Sequence, residues 1–264
     1  MNVNYDTREV ELNTRKLVKK ALKSAGYQIS RLPETDESKG YHPSYDLGPE
    51  NFEGMDRNTR RVLNLINYTK SSHSSYSAQP YENAYHSIEL NGVTYAGQRD
   101  PKGRFEEVGF DFTNKSVLDI GCNQGGMIFE LADKISHGIG IDYDQRMINA
   151  ANRLRSYRKA SNVDFFVFDL ETENLNLIDN FLPNQRVDIV FLLSVCMWIK
   201  DWHSVIDKAL ELADHLLFES NGTPEQQDEQ EAYLQKTYGT VTMIRDSSPD
   251  DERQKSRKLY LCNT

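Results

Sequence analysis

Residues 116–142, SVLDIGCNQGGMIFELADKISHGIGID, spell a strand, a glycine-bearing turn, a helix and a second strand that ends in an acid. Val117, Leu118 and Ile120 make the short apolar run of a buried parallel strand, and Ile128, Leu131, Ala132 and Ile135 recur at helical spacing on one face. Gly121, Gly125 and Gly126 occupy the turn, where a missing Cβ lets the backbone approach a ligand closely. The stretch therefore predicts a nucleoside-binding βαβ unit.

Spacing within the turn narrows the ligand. A dinucleotide turn reads G-x-G-x-x-G, with the second glycine admitting the pyrophosphate and the helix N-terminus receiving its charge. Here Asn123 stands at that second glycine; it tolerates left-handed backbone angles, but its side chain fills space a pyrophosphate needs. Asp119, two residues before the first glycine, adds a negative charge that repels phosphate and suits a cation. S-adenosylmethionine carries a sulfonium and an ammonium, has no phosphate, and presents two ribose hydroxyls suited to Asp142. D-I-G-C-N-Q-G at 119–125 and G-I-D at 140–142 resemble motifs I and II of the class I S-adenosylmethionine-dependent methyltransferases. The resemblance implies that Asp119, Gly121, Asn123, Gly125, Asp142 and the adjoining Tyr143 hold that cofactor.

Later segments extend the pattern. An apolar run from Val163 to Phe168 ends in Asp169 and Leu170, where the family places an acid near the adenine amine. A further run, Val187 to Leu193, leads into Ser194-Val195-Cys196-Met197-Trp198 and matches the motif IV region at the end of the central strand. Leu216 to Phe218 ends in Glu219. Helices are expected over 125–136, 144–159, 173–181, 202–213 and, starting at Pro224, over 224–238; Thr240–Ile244 and Lys258–Cys262 are expected to add an antiparallel edge. The resulting expectation is an α/β, Rossmann-like, seven-stranded class I methyltransferase sheet with helices on both faces and an N-terminal helical cap or lid. Ligands in such sheets bind beyond the carboxyl ends of the strands, where Asp119, Asp142, Asp169, Ser194 and Glu219 all fall.

The chain has 264 residues, room for one α/β domain of about 150 residues with an extension. We place the extension and lid at 1–105 and the cofactor-binding domain at 106–264. A net charge of −9 supplies no global basic footprint for nucleic acid. The three cysteines lie in or beside strands, as small buried hydrophobes do, and no spacing of metal ligands is visible. The polar, charged N-terminus lacks the apolar stretch of a signal peptide, and no run approaches the ~20 residues of a membrane helix, so a soluble, cytoplasmic protein is expected.

Ahead of the core, residues 7–25 read as an amphipathic helix with a basic face, 33–54 as a loop and 56–70 as a second helix that buries Val62, Leu63, Leu65 and Ile66. Residues 71–105 are rich in hydroxyl and aromatic groups and are expected to form a lid and acceptor wall, with Tyr76, Tyr81, Tyr85 and His86 facing the pocket and Arg99 or Arg104 neutralising an acidic group. The words H-S-I-E-L and G-Q-R-D-P-x-x-R-F in 86–105 are similar to the segment preceding the core in tRNA wobble-uridine carboxymethyltransferases, which use a carboxylated S-adenosylmethionine. That family has glycine where this chain has Asn123. The same arrangement resembles methyltransferases of surface-glycan (polysaccharide) and natural-product pathways, whose acceptors are small sugars or sugar phosphates.

The cofactor class implies an in-line displacement in which the protein aligns donor and acceptor and removes a proton from a hydroxyl nucleophile. His86, His203 and Glu219 are candidate bases, and Trp198 and Trp202 candidate walls of the acceptor pocket. His137 and His215 read as structural. LLSVCMWIK at 192–200 lacks the carboxylates of the metal-dependent members, so no metal is expected. Three functions remain open: methyl transfer to a small saccharide or phosphorylated acceptor, an RNA-modifying transfer favoured by Arg99, Arg104 and the basic helix with Arg146, Arg153, Arg155, Arg158 and Lys159, and a silent cofactor-binding module.

Overall fold

The computed structural model describes residues 56–69, 85–248 and 256–264. The expected helix at 7–25, the loop at 33–54, and Tyr76 and Tyr81 lie outside the described residues. A seven-stranded sheet holds β3 (Ser116–Ile120), β4 (His137–Asp142), β5 (Val163–Val167), β6 (Ile189–Leu193), β7 (His215–Glu219), β8 (Thr240–Arg245) and β9 (Leu259–Asn263), in the order β5-β4-β3-β6-β7-β9-β8. Strands β3 to β7 pair in parallel, and β9 pairs antiparallel to both β7 and β8. Because β4 lies on one side of β3 and β6 on the other, the chain reverses its direction of progress there, which opens a crevice at the strands' carboxyl ends.

Near-continuous apolar runs form these strands because both faces of the sheet are covered. Val117, Ile189, Phe191 and Leu217 enter one core with α1 (Arg57–Thr69), α2 (Gly126–Leu131) and α3 (Gln145–Arg158). Leu118, Ile120, Val190, Leu192, Leu216 and Phe218 enter a second core with α4 (Trp202–Leu212), α5 (Pro224–Thr237) and a 3-10 turn at Leu175–Phe181. Alternate residues of each strand thus belong to opposite cores. On that count Asp119 shares the face of Val117, towards the segment that precedes the sheet.

Two boundaries differ from the sequence reading. Helix α2 ends at Leu131, short of the expected 136, because the Asn162 side-chain amide donates to the carbonyls of both Ala132 and Ile135 and holds them in a turn. The 173–181 segment is a 3-10 helix, capped by the Asn174 side chain, rather than an α-helix. An unforeseen hairpin, β1 (Ile88–Leu90) with β2 (Val93–Tyr95), turns at Asn91-Gly92, where both residues take positive φ. Asn-Gly between short apolar runs favours that left-handed turn. The Asn91 side chain donates to Asp56 and Thr59 at the start of α1 and accepts from the Tyr157 hydroxyl of α3.

Ile88, Leu90, Tyr95, Val108 and Phe112 are buried in the same core as the sheet. Phe191, at the sheet's centre, stacks on Phe105 at 5.3 Å and meets Phe112 edge-on at 5.9 Å, so the sheet itself braces the segment before it. Replacing Phe191 with Ala should lower the unfolding free energy by about 3–5 kcal/mol in urea denaturation, through lost transfer energy and the cavity left behind. A loss below about 1 kcal/mol would show that this ring does not brace the segment.

Candidate active site

The crevice beyond β3, β4 and β6 is a cleft of about 450 Å³. Its floor is apolar, from Ile141, Met147, Phe168, Leu170, Val195 and Ile199, while Asp142, Asn123, Asp169 and Ser194 supply polar groups at its edge. Tyr143 and Trp198 also line it, and both are more than half exposed, at 65% and 54%. A smaller cavity of about 20 Å³ adjoins it, sharing Tyr85, Gly121, Leu193 and Ser194, and is otherwise lined by residues including His86, Arg99, Arg104, Asp119 and Glu219.

The glycine turn is built as its composition requires. Gly121 has φ +80°, and a Cβ there would lie 2.6 Å from Val195 Cγ2, so the loop after β6 rests directly on the turn. Asn123 adopts φ +51° and donates its backbone N–H to Asp142 Oδ2 at 2.9 Å. Asp142 Oδ1 accepts from the Asp144 N–H at 2.9 Å. A carboxylate has lone pairs for about four donors, so Asp142 retains acceptor capacity for two ligand hydroxyls. Gly125 caps α2 and packs against Phe165 rather than lining the cleft; its role is to let the turn close on the helix.

Asp119 is buried, and its Oδ2 has no hydrogen-bond partner. Its carboxyl is pushed up to about 8, first by burial and then by the charge of Asp142, with Arg104 opposing. Asp142 is pushed up to about 6 by burial, against the bonds it accepts from Asp144 and Asn123. An orphaned carboxyl oxygen beside a glycine turn is a receptor for a cation, and the apolar floor beside Asp142 is one for a nucleoside. The residues present therefore fit S-adenosylmethionine. Asp169, on the cleft edge, accepts from the Glu171 N–H and the Thr172 hydroxyl, which fix the carboxylate where the family's adenine-binding acid falls.

Glu219 is not free to act as a base. It is buried, paired with Arg99 (3.0 Å), Arg104 and Arg257 (3.6 Å), and accepts from the Ser194 hydroxyl. Arg99 and Arg104, expected to meet an acidic ligand group, have Glu219 as a protein partner instead. His86 is buried, and its Nδ1 accepts the Gly126 N–H at 3.3 Å. Its backbone N–H donates to the Gln124 side chain at 3.2 Å, and it forms an isolated β-bridge with Arg99. The segment at 85–105 is thus pinned to the core.

His203 and Trp202 are placed elsewhere. His203 is exposed on α4 and stacks on Trp202 at 3.7 Å, and both pack against Tyr233 of α5. Neither lines the cleft, because the helix begins at Trp202 and turns both rings towards α5. Trp198, four residues earlier, does line it. Cys122, Cys196 and Cys262 are buried free thiols, and among the described residues no group of three or more His, Cys, Asp or Glu side chains could hold a metal. Sequence reasoning missed Gln124, fully buried behind the turn, and the apolar floor residues other than Leu170, whose types match any core position.

The fold and site support a class I S-adenosylmethionine-dependent methyltransferase domain. Residues 118–215 match the protein family described as "Methyltransferase domain". Aklanonic acid methyltransferase DauC of Streptomyces sp. (strain C5) is 26% identical over 149 residues, covering 55% of this chain and 63% of that protein. U6 snRNA methylphosphate capping enzyme Amus of Drosophila melanogaster is 28% identical over 123 residues, covering 40% of each. The chain thus spans less than two thirds of the length of these relatives. The N-terminal domain of EvdMO1, crystallised in the presence of SAH and D-fucose, superposes with a TM-score of 0.58 at 15% identity over 80% of this chain and 97% of that one. At that identity the likeness speaks for the fold. No described helix is long and apolar enough to cross a membrane.

Both raised carboxyls link stability to pH. Folded Asp119 and Asp142 hold protons at pH values where the unfolded chain, at the ordinary 3.8, has released them. Folding therefore takes up protons, and their contribution to stability, complete below that value, is lost as pH rises through about 6 and then about 8. Asp119→Asn should flatten the decline in urea-unfolding free energy between about pH 5 and pH 8.5. Equal slopes in the variant and the wild type would show that Asp119 is ionised throughout.

Proposed function

We propose that the protein transfers a methyl group from S-adenosylmethionine to a hydroxyl of a small acceptor, a saccharide or phosphorylated metabolite of a glycan or natural-product pathway. The observation that carries the cofactor part is the pair of buried acids on either side of Gly121, one with an unpartnered oxygen, beside an apolar cleft at the point where the strand order reverses. Asp119 suits the cationic end, Asp142 the ribose, and Asp169 and Leu170 the adenine. When bound, the cofactor supplies an electrophilic methyl on a sulfonium. The chain's own part is to align an acceptor with it at the open mouth of the cleft, so that as the methyl leaves sulfur for the acceptor oxygen the hydroxyl proton passes to bulk water.

For the acceptor, support comes from the mouth of the cleft. Tyr85 and Trp198 are aromatic faces that can lie against the C–H faces of a sugar ring, and the tyrosine-bearing segment ending at Ala84 adjoins Tyr85 in the chain. We place the acceptor among these residues. The presence of D-fucose with EvdMO1 and the small-molecule acceptor in DauC's name point the same way. An RNA acceptor has the name of Amus in its favour. Three of the five cations of the basic helix invoked for it have partners within the protein: Arg153 donates to Asn58, Arg155 pairs with Asp164 at 2.8 Å, and Arg158 lies over the Phe129 ring.

The test is to follow transfer of labelled methyl to a panel of free sugars, sugar phosphates and short RNAs, with S-adenosylhomocysteine binding measured by calorimetry. We expect label on a sugar or sugar phosphate, and a loss of about 1–3 kcal/mol in S-adenosylhomocysteine affinity for Asp142→Ala, the cost of unpartnered ligand hydroxyls. Label on RNA alone would overturn the acceptor reading, and unchanged affinity in the folded variant would overturn the ribose assignment.

A further inference from the structure

We propose that Asn221, held in place by Gln230, is a positioning residue that sets the geometry of the loop after β6 over the cofactor turn. The inference deepens the reading of the cleft given above and rests on it. Asn221 follows β7 by two residues, is fully buried, and does not line the cleft. Its side-chain amide spans the loop: Nδ2 donates to the Ser194 carbonyl, and Oδ1 accepts the Met197 N–H at 3.0 Å. One short side chain thereby joins both ends of the turn from which Ser194, Val195 and Trp198 reach the cleft.

That turn needs holding. Ser194 has φ +62°, a left-handed conformation that is strained for a side-chain-bearing residue and persists only where its surroundings impose it. Its N–H donates to the Glu219 carbonyl, its hydroxyl to the Glu219 carboxylate, and its carbonyl accepts from Asn221. The next residue, Val195, packs on Gly121, so a shift of the turn moves the ceiling of the glycine loop directly.

Asn221 is itself clamped by a second amide. Gln230, 1% exposed on α5, accepts the Asn221 N–H through Oε1 at 3.1 Å and donates Nε2 to the Asn221 carbonyl at 2.9 Å. A neighbouring glutamine one turn earlier, Gln227, binds the Ser220 hydroxyl and the Gly222 carbonyl. Helix α5, remote from the cleft, is thus wired through 220–222 to the loop. Buried amides with every group engaged hold one arrangement, because any other leaves polar atoms unpaired in a low dielectric. An ordinary core needs apolar residues at such positions; three buried carboxamides in ten residues serve orientation.

The proposal is tested by amide exchange and by calorimetric binding of S-adenosylhomocysteine to the full chain. Asn221→Ser is too short to span the turn, whereas Asn221→Asp keeps the acceptor for Met197 and loses the donor to Ser194. We expect Asn221→Ser to speed exchange of the Met197 amide and to weaken S-adenosylhomocysteine by about tenfold, as loss of a buried hydrogen bond allows. Amides of Ile120 and Leu192 should keep wild-type protection, which a merely destabilised fold would not permit. Asn221→Asp should restore the Met197 protection. Should Asn221→Ser fail to fold, Gln230→Met, which leaves Asn221 intact, is expected to show the same local exchange and the same loss of affinity. Unchanged Met197 exchange in the folded variants, or faster exchange with undiminished affinity, would overturn the proposal. Wild-type protein that binds no S-adenosylhomocysteine would instead sink the cofactor reading on which the proposal rests.

Discussion

The carboxylate of Glu219 sits at the end of β7 with three guanidinium groups arriving from two separate parts of the chain: Arg99 and Arg104 from the segment before the sheet, and Arg257 from the approach to β9. Burying a lone carboxylate costs several kcal/mol, and a buried ion is tolerated only when paired and hydrogen-bonded. That constraint decides where the pre-core segment lies, since moving it away would strip Glu219 of two of its cationic partners. It also reaches the cleft, because Ser194 spends both its N–H and its hydroxyl on the same residue. Wall, turn and sheet are therefore one electrostatic unit.

Around this hub the acids of the site divide the work. Glu219 is neutralised and serves geometry. Asp119, one face of the sheet away from the apolar floor, is left with an unpartnered oxygen and holds its proton well above the ordinary range. Asp142 is shared between the glycine turn and the cleft. A cation arriving beside Asp119 would favour its ionised form. His86 contributes by anchoring the wall to the first turn of α2 and to Gln124, a role for its acceptor nitrogen and backbone.

Much of this was legible in the chain. The βαβ unit, the positive φ at Asn123, the acids at successive strand ends and the antiparallel addition of β9 all follow from local pattern: period-2 and period-3.6 apolar spacing, glycine placement and strand length. Local pattern was less reliable at element ends, where a distant side chain intervenes, as Asn162 does at the end of α2. The hairpin at Asn91-Gly92 carried a readable signal, but its short strands resembled an aromatic strip.

What the sequence determined by itself was the order of strands and helices, the identity of the glycine turn and hence the ligand class, because each depends on residues close together in the chain. Only the tertiary structure decided which polar groups meet. Glu219, His203 and Trp202 look equally eligible for catalysis in sequence, yet one is paired with arginines more than a hundred positions away and the other two face α5. Asn221 and Gln230 are unremarkable as letters. Their function lies in bonds that close over 27 and 9 residues, and hydrogen bonds of that span are set by how the sheet brings strand ends together, not by any local periodicity.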